Sequence, residues 1–163
     1  MRIFCLDTSA FIEPWIRRYP IDVFPTYWQQ LELWISEQRI ISPQEVCEDI
    51  KKKEDDLYKW VKRQDGLFKM PEAEVQKALQ NVLNIYQAVH RQRRHVDPNA
   101  IPKEMQGSDP WVIAQAKASS AVVVSGESRG ANEPCLKIPN ICARVQVECI
   151  NVLSLIREME LKL

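Results

Sequence analysis

Four short apolar runs, separated by stretches of helical character, constrain the fold of this chain more than any other feature. They are RIFCL (2–6), RIIS (39–42), AVVVS (121–125) and VECINV (147–152). Short runs without polar alternation are typical of strands buried on both faces, and parallel strands need a helix to cross between them. The pattern predicts an α/β fold of three α/β/α layers around a mostly parallel sheet, with the β-branched run AVVV in a central position.

The segments between these runs predict the helices and loops. Turn-forming residues without a helical period predict a loop at 95–108, and glycines and prolines predict a loop-rich stretch at 126–141. Apolar spacing and start signals predict a helix in each of these places: after Asp7-Thr8-Ser9, after Pro25, after a Ser42 cap with Glu45 as capping-box acid, at 57–63, at 71–94 as the longest, at Asp109, and at the C-terminus.

Composition narrows the functional classes without selecting one. A length of 163 residues suits one domain spanning 1–163. Lys plus Arg equals Asp plus Glu at 22 each, so the formal net charge is zero and does not indicate a nucleic-acid-binding protein. The chain has no apolar run of membrane-spanning length and an acid at position 7, so we expect neither a membrane span nor a secretory signal. Five cysteines without a Cys-x-x-Cys pair suggest reduced thiols and a cytoplasmic protein.

Acidic residues from distant parts of the chain fall near one edge of the predicted sheet. Asp7 follows the first strand directly, and Glu127 comes just after AVVVS. Asp109 opens the helix that leads into that strand, while Glu45 and Glu48 lie three apart on one helix. Ligands of open parallel sheets bind beyond the carboxyl ends of the strands. We therefore expect these acids to converge there.

Convergence of carboxylates requires a counter-charge. Two of them about 4 Å apart repel by about 4 kcal/mol at an effective dielectric near 20. A cation or protonation must relieve this repulsion, and ligands that are all oxygen favour Mg²⁺ or Mn²⁺. Such an ion activates water and stabilises charge on a phosphate, which is the chemistry of phosphodiester hydrolysis.

Each acid taken alone has a structural explanation. Asp109-Pro110 fits a capped helix start, and Asp7 fits a strand-to-helix turn. Glu45 fits a capping partner and Glu127 a solvated loop acid. The set and its order along the chain, rather than any single member, favour a metal site.

Arginines supply candidate phosphate ligands. The stretch HRQRRH (90–95) contains Arg91, Arg93 and Arg94 and ends the longest predicted helix, where positive charge also suits the helix dipole. Arg129 lies two residues after Glu127. The planar guanidinium can hold two phosphate oxygens at once, so both groups of arginines are candidates for RNA binding.

The sequence resembles the PIN-domain nucleases, most closely the small prokaryotic branch akin to VapC-type toxins of toxin–antitoxin pairs. The resemblance covers nearly the whole chain. The most specific piece is DPWVIAQA followed by VVVSGE, and LDTS alone is weak. The matching segments are FCLDTSAFIEPW (4–15), IISPQEVCEDI (40–50), SDPWVIAQAKASSAVVVSGE (108–127) and KIPNICARVQVECINVLSLI (137–156).

The resemblance implies a metal-dependent endoribonuclease using Mg²⁺ or Mn²⁺. Asp7 and Asp109 would be the principal metal ligands, and Glu48, six residues after Ser42, would be the helix acid, with Glu45 as its substitute. Glu127 would be the fourth catalytic acid, although the family usually has an aspartate there.

Ser9 and Ser125 would orient the carboxylates. RNA as substrate, an antitoxin protein and a second copy of the chain are the partners that the resemblance suggests. A catalytically inactive PIN-like module that binds RNA or protein is the alternative, because the charge balance is neutral and the fourth acid is atypical.

Overall fold

The computed structural model describes residues 1–162. Its five strands within that range are all parallel and form one sheet. They are β1 (Phe4–Leu6), β2 (Ile40–Pro43), β3 (Phe68–Lys69), β4 (Val122–Val124) and β5 (Cys149–Ile150). The order across the sheet is β3-β2-β1-β4-β5. The predicted α/β fold with three layers is confirmed, and β3 is a short edge strand that the apolar pattern did not predict.

Eight α-helices connect and cover these strands in the described part of the chain. A π-helical segment, Pro14–Arg18, extends the first helix, and a 3₁₀ turn, Lys103–Met105, precedes the sixth. The helices are α1 (Thr8–Glu13), α2 (Pro25–Ser36), α3 (Gln44–Lys51), α4 (Asp56–Lys62), α5 (Ala73–Gln92), α6 (Asp109–Ala118), α7 (Ile138–Val145) and α8 (Val152–Glu158).

The centre of the sheet is the pair β1 and β4. Cys5 is aligned with Ile41 of β2 on one side and with Val123 of β4 on the other. Every residue of β1 and β4 is buried, as expected for strands covered by helices on both faces. Chain order runs outward from β1 through β2 to β3 on one side, and from β4 to β5 on the other. The sheet therefore reverses its winding between β1 and β4, where such sheets place their ligands.

Two local expectations differ from the structure. Ser42 does not cap α3: it is buried in β2 and its hydroxyl donates to the carbonyl of Leu6 at 2.8 Å, while Pro43 is the residue before the helix. Glu45 consequently has no capping box to complete. The segment 126–141 is not loop throughout, because α7 begins at Ile138. The apolar residues of α7 have helical spacing, but the sequence did not predict this helix because Pro134 and Pro139 are typical of loops.

Aromatic side chains fill the space around α2. Trp28 is buried with its ring centroid 4.9 Å from that of Trp15 and 4.9 Å from that of Trp60, both edge to face. The ring of Tyr27 meets Trp28 at 5.1 Å, and Tyr19 meets Tyr27 at 5.2 Å. These five residues are the aromatic cluster. The indole N–H groups of Trp28 and Trp60 donate to the Tyr19 carbonyl and the Glu32 carboxylate.

Between residues 1 and 162, no helix is both long enough and apolar enough to cross a membrane.

Candidate active site

Asp7 lies at the reversal point of the sheet. Its backbone N–H donates to the Val124 carbonyl of β4 at 3.0 Å, so it continues the pairing of β1 with β4 by one residue. Its side chain then caps α1 by accepting the Ala10 N–H at 2.8 Å. A strand-to-helix turn and metal binding were the two alternatives that the sequence left open for Asp7. The structure shows the cap, and the second carboxylate oxygen is not used by it.

The Asp7 carboxylate is buried and surrounded by hydroxyl donors. Ser9 Oγ lies 2.8 Å from Oδ1, and Ser125 Oγ donates to Oδ2 at 2.7 Å. Burial raises the pKa of Asp7 to about 6 against the lowering effect of hydrogen bonds from Ser125, Ser9 and Ala10, and the charge of Glu127 adds to the rise. The hydrogen bonds thus fix the direction of the carboxylate, while burial makes its ionised form less favourable than in water.

The two serines are themselves held by the loop after β4. Ser9 Oγ accepts the Gly126 N–H at 2.8 Å, and Ser125 Oγ accepts the Glu127 N–H at 3.0 Å. A Cβ at residue 126 would stand 2.9 Å from Ser9 Oγ and 3.1 Å from a Glu13 carboxylate oxygen. Glycine is needed here because the loop backbone passes so close to the hydroxyl that orients Asp7.

Asp109 is the first residue of α6, and Pro110 is the second. It does not cap the helix: Ser108 precedes it, without a side-chain capping bond. Its half-buried carboxylate accepts no hydrogen bond from the described residues. Burial raises the pKa of Asp109 to about 7, and further rises come from the negative charges of Glu127, Asp7, Asp49 and Glu104, in that order. The carboxylate is therefore partly desolvated, and the neighbouring charges that shift its pKa are those of other acids.

The helix acid at this edge is Asp49, and not the predicted Glu48. Asp49 Oδ2 accepts from Ser108 Oγ at 2.6 Å and from Thr8 Oγ1 at 3.1 Å, which joins α3 to the starts of α6 and α1. Burial raises the pKa of Asp49, but hydrogen bonds from Ser108, Lys52 and Thr8 outweigh it, so the net shift is downward. Asp49 therefore stays ionised more readily than Asp7 or Asp109.

Helix geometry explains the difference. Val46 and Ile50 mark the buried side of α3. At about 100° per residue, Glu48 points about 160° away from both, whereas Asp49 lies about 60° from Val46. Glu48 is exposed and accepts from Gln44 at 3.4 Å. Glu45 is half-buried, with no hydrogen bond to Asp7 or Asp109 among the described contacts.

Glu127 lies near both aspartates and also holds a helix. Its Oε2 accepts the Ile138 N–H at 3.0 Å, at the first residue of α7. Its charge contributes to the raised pKa of both Asp7 and Asp109. The predicted solvated loop acid is therefore half-buried and acts as an acceptor at a helix start.

Two clefts meet at Glu127. The Asp109 cleft has a volume of about 550 Å³ and contains three acids and three cations: Asp109, Glu127, Glu104, Arg93, Lys103 and Lys137. The Arg129 cleft has a volume of about 600 Å³ and is lined by Arg18, Tyr19, Glu127, Arg129, Ile150 and Leu153, among others.

The predicted arginines are divided between these clefts. Arg93 lines the first and Arg129 the second, while Arg91 and Arg94 are exposed and line neither. Lys103 and Lys137 were missed because they lie in segments without periodicity. Their nearness to Asp109 depends on how the two loops fold back.

The oxygen ligands fit a hard divalent cation. Asp7 and Asp109 supply desolvated carboxylates, and the remaining nearby groups are carboxylate and hydroxyl oxygens. Within residues 1–162, no three His, Cys, Asp or Glu side chains are close enough together to enclose an ion. Mg²⁺ does not require such a cluster in general, because it often binds through one or two carboxylates and keeps several waters.

The chain belongs to a family described as a domain of unknown function (DUF4411), whose model matches residues 4–163. No curated protein matches the sequence.

Proposed function

We propose that this protein is a divalent-metal-dependent endoribonuclease of PIN type. The observation that carries the proposal is the pair Asp7 and Asp109. Both carboxylates are desolvated, the charge of Asp7 raises the pKa of Asp109, and the charge of Glu127 raises the pKa of both. Acids so placed lower their free energy by binding a cation. The motif resemblance to PIN nucleases supports the same assignment.

The proposed ion is Mg²⁺ or Mn²⁺, held by Asp7 and Asp109. When bound, such an ion supplies an activated water and neutralises charge on the scissile phosphate. Ser9 and Ser125 fix the direction of Asp7 through their hydrogen bonds. Asp49 keeps Thr8 and Ser108 in place beside the two principal acids, and we propose it in the role for which Glu48 was predicted.

The proposed RNA path follows the two clefts. Arg93, Lys103 and Lys137 surround the acids of the Asp109 cleft, and Arg129 and Arg18 line the other. Cations on both sides of Glu127 can neutralise phosphates flanking the one to be cut. The apolar side chains Ile150 and Leu153 provide a surface against which a base can pack.

The decisive experiment replaces each principal acid with its amide. We expect Asp7→Asn and Asp109→Asn to lose Mn²⁺ binding in calorimetry and cleavage of labelled RNA, while circular dichroism stays unchanged. Asp56→Asn is the matched control, since this aspartate is 81% exposed on α4 and pairs with Lys59. Unchanged cleavage by both site variants would exclude the proposal.

A second candidate is a PIN-like module that binds RNA or protein without cutting. It is favoured by the absence, within residues 1–162, of three acids gathered closely enough to enclose an ion. The same calorimetry separates the two, because the inert module binds no Mn²⁺ at millimolar concentration.

The resemblance to VapC-type toxins extends the proposal to partners and location. An antitoxin that covers the acids, and pairing of two copies of the chain, are the expected interactions. The proposed location is the cytoplasm, where RNA is accessible and where the five free cysteines stay reduced. Co-expression with the product of an adjacent gene tests the antitoxin: we expect it to abolish cleavage by the purified complex.

A further inference from the structure

One loop contributes side chains to both clefts. It covers residues 128–137, between β4 and α7, and is called the cleft loop here. Arg129, near its start, lines the Arg129 cleft, whereas Asn132 and Lys137 line the Asp109 cleft. The residues of the cleft loop are all described, and none of them belongs to a helix or strand. Contacts to the rest of the protein must therefore set its shape, and with it the positions of Arg129 and Lys137.

The side chain that makes these contacts is Asn140, which lies on α7 and is fully buried. Its Oδ1 accepts the Gly130 N–H at 2.8 Å. Its Nδ2 donates to the Gly130 carbonyl at 3.1 Å and to Glu133 Oε1 at 2.9 Å. The backbone N–H of Asn140 donates to the Lys137 carbonyl at 3.0 Å. A single residue thus binds the cleft loop near its start, at its middle and at its end.

Glu133 extends this network to the surface. Its Oε2 accepts the Cys135 N–H at 2.9 Å and lies 3.3 Å from Nη2 of Arg144 on α7. A Cβ at residue 130 would stand 2.5 Å from Cys135 Sγ, so the two arms of the loop pack closely against each other. An aliphatic side chain at position 140 would remove three hydrogen bonds at once. Buried amides that are bonded in this way typically fix one arrangement of the groups around them.

We propose that Asn140 is a positioning residue for RNA, because it holds the cleft loop so that Arg129 and Lys137 bind phosphates on either side of Glu127. This role rests on the proposed function, since it requires an RNA substrate. The side-chain hydrogen bonds of Asn140 go to the cleft loop and not to Asp7 or Asp109. Loss of Asn140 should therefore weaken RNA binding and leave Mn²⁺ binding unchanged.

The charge of Glu133 separates positioning from simple electrostatics. Its side chain is 41% exposed, so Glu133→Ala should fold normally. If Glu133 acted only through its charge, removal of an acid beside the RNA path would strengthen RNA binding. If Glu133 helps to hold the cleft loop, its removal should weaken RNA binding. Glu148→Ala is the matched control, since Glu148 is also an exposed glutamate paired with an arginine, Arg2, and lines neither cleft.

RNA binding is measured with a labelled single-stranded RNA of mixed sequence, with chelator present to prevent cleavage. Each phosphate contact to a single strand adds about 0.7 to the steepness with which log affinity falls against log salt concentration. We expect Glu133→Ala and Asn140→Ala to bind more weakly than the wild-type protein, with a dependence less steep by about 0.7–1.4. Glu148→Ala should match the wild-type protein. If Asn140→Ala does not fold, Glu133→Ala decides alone: unchanged or stronger binding overturns the proposal.

Hydrogen exchange tests the holding of the loop without RNA. We expect the Gly130 amide to exchange faster in Asn140→Ala and the Cys135 amide to exchange faster in Glu133→Ala, because each loses its acceptor. Both amides should exchange in Glu148→Ala as in the wild-type protein. Unchanged exchange in Asn140→Ala and Glu133→Ala would show that other contacts hold the loop, which contradicts the proposal.

The same measurements distinguish this role from the proposed function. A wild-type protein that binds no RNA at low salt refutes the RNA path. A wild-type protein that binds RNA no better than Glu133→Ala and Asn140→Ala overturns only the role of Asn140. Calorimetry should give the same Mn²⁺ affinity for the wild-type protein and these variants. A lower Mn²⁺ affinity in Glu133→Ala would contradict a role confined to the cleft loop.

Discussion

The aromatic cluster and the acidic edge, the latter comprising Asp7, Asp49, Asp109 and Glu127, sit at the two ends of one short helical stretch. Asp7 caps the start of α1, and Trp15 follows its end. In the cluster, aromatic rings exclude water and the indole N–H groups of Trp28 and Trp60 find acceptors. At the edge, carboxylates lose water and face one another.

The difference separates stability from function within a single domain. Burial of rings lowers the free energy of the folded state. Desolvation of Asp7 and Asp109 raises it, and the raised pKa values record that cost. Carboxylates with raised pKa values are typical of functional sites, which is consistent with the function proposed for this edge. Four measurements test this contrast between the aromatic cluster and the acidic edge.

The largest effect is expected in the cluster. Trp28→Ala removes a buried ring with edge-to-face contacts to Trp15 and Trp60, so it should lower the free energy of unfolding by about 3–5 kcal/mol. Urea denaturation measures the loss. Leu33→Ala, on the same helix but 49% exposed, is the control and should change stability little. A comparable loss in Asp109→Asn would erase the contrast between the two regions.

Addition of Mn²⁺ should reverse the cost at the edge. An ion that binds only the folded state adds about 2.7 kcal/mol at a hundred times its Kd, or roughly 5–10 °C in Tm. Differential scanning calorimetry at matched ionic strength measures the shift. Asp109→Asn should lose it and Trp28→Ala should keep it; an equal shift in both variants would place the ion elsewhere.

The stability of the metal-free protein should fall as pH rises. Asp7 and Asp109 have folded pKa values of about 6 and about 7, above their ordinary value of 3.8. Between about pH 4 and pH 7 the folded state therefore holds protons that the unfolded state has released, and each pH unit weakens folding. Above about pH 7 the loss is complete. Asp109→Asn should then be more stable than wild type by about 1–2 kcal/mol at pH 8.

Thermal unfolding in chelator from pH 5 to pH 8 measures this dependence. The fall in Tm should be smaller in Asp109→Asn than in the wild-type protein. A Tm that rises through this interval, or parallel curves for the two proteins, would show that Asp109 ionises as freely as in water.

The smallest expected effect concerns the loop after β4. Gly126→Ala would press a methyl group against Ser9 Oγ and Glu13, and we expect a loss of about 1 kcal/mol. The rate of RNA cleavage should also fall, and by more than the small loss of stability explains, because the displaced Ser9 hydroxyl orients Asp7. At Gly107 an added methyl group meets nothing within 4 Å, so Gly107→Ala is the matched control. If Gly126→Ala cleaves RNA as fast as the wild-type protein, then the position of the Ser9 hydroxyl does not matter for cleavage.

The amino-acid pattern predicted four of the five strands of the described sheet and the position of Asp7 directly after the first of them. Apolar runs report burial directly, and a residue that follows a parallel strand must lie at the carboxyl edge, which placed Asp7 and Glu127. The strand β3 was not predicted because it has only two residues, both half-buried, and two residues show no periodic pattern. The helix α7 was not predicted because the prolines near its start are typical of loops.

The choice between Glu48 and Asp49 needed the rotation of α3. Spacing from Ser42 favoured Glu48, but the buried pair Val46 and Ile50 carried the rotational information and pointed to Asp49. Thr8 and Ser108 contribute through contacts that span 41 and 59 residues to Asp49, which no local pattern contains. Lys103 and Lys137 reach the Asp109 cleft for the same reason.

The pairing of β1 with β4 has a consequence for the order of events during synthesis. Leu6 is aligned with Val124, so the strand pair that positions Asp7 cannot form until more than 120 residues have left the ribosome. Non-local pairings of this kind form slowly. A growing chain therefore exposes its amino-terminal strand for most of its translation, and the proposed site can form only when the fold is nearly finished.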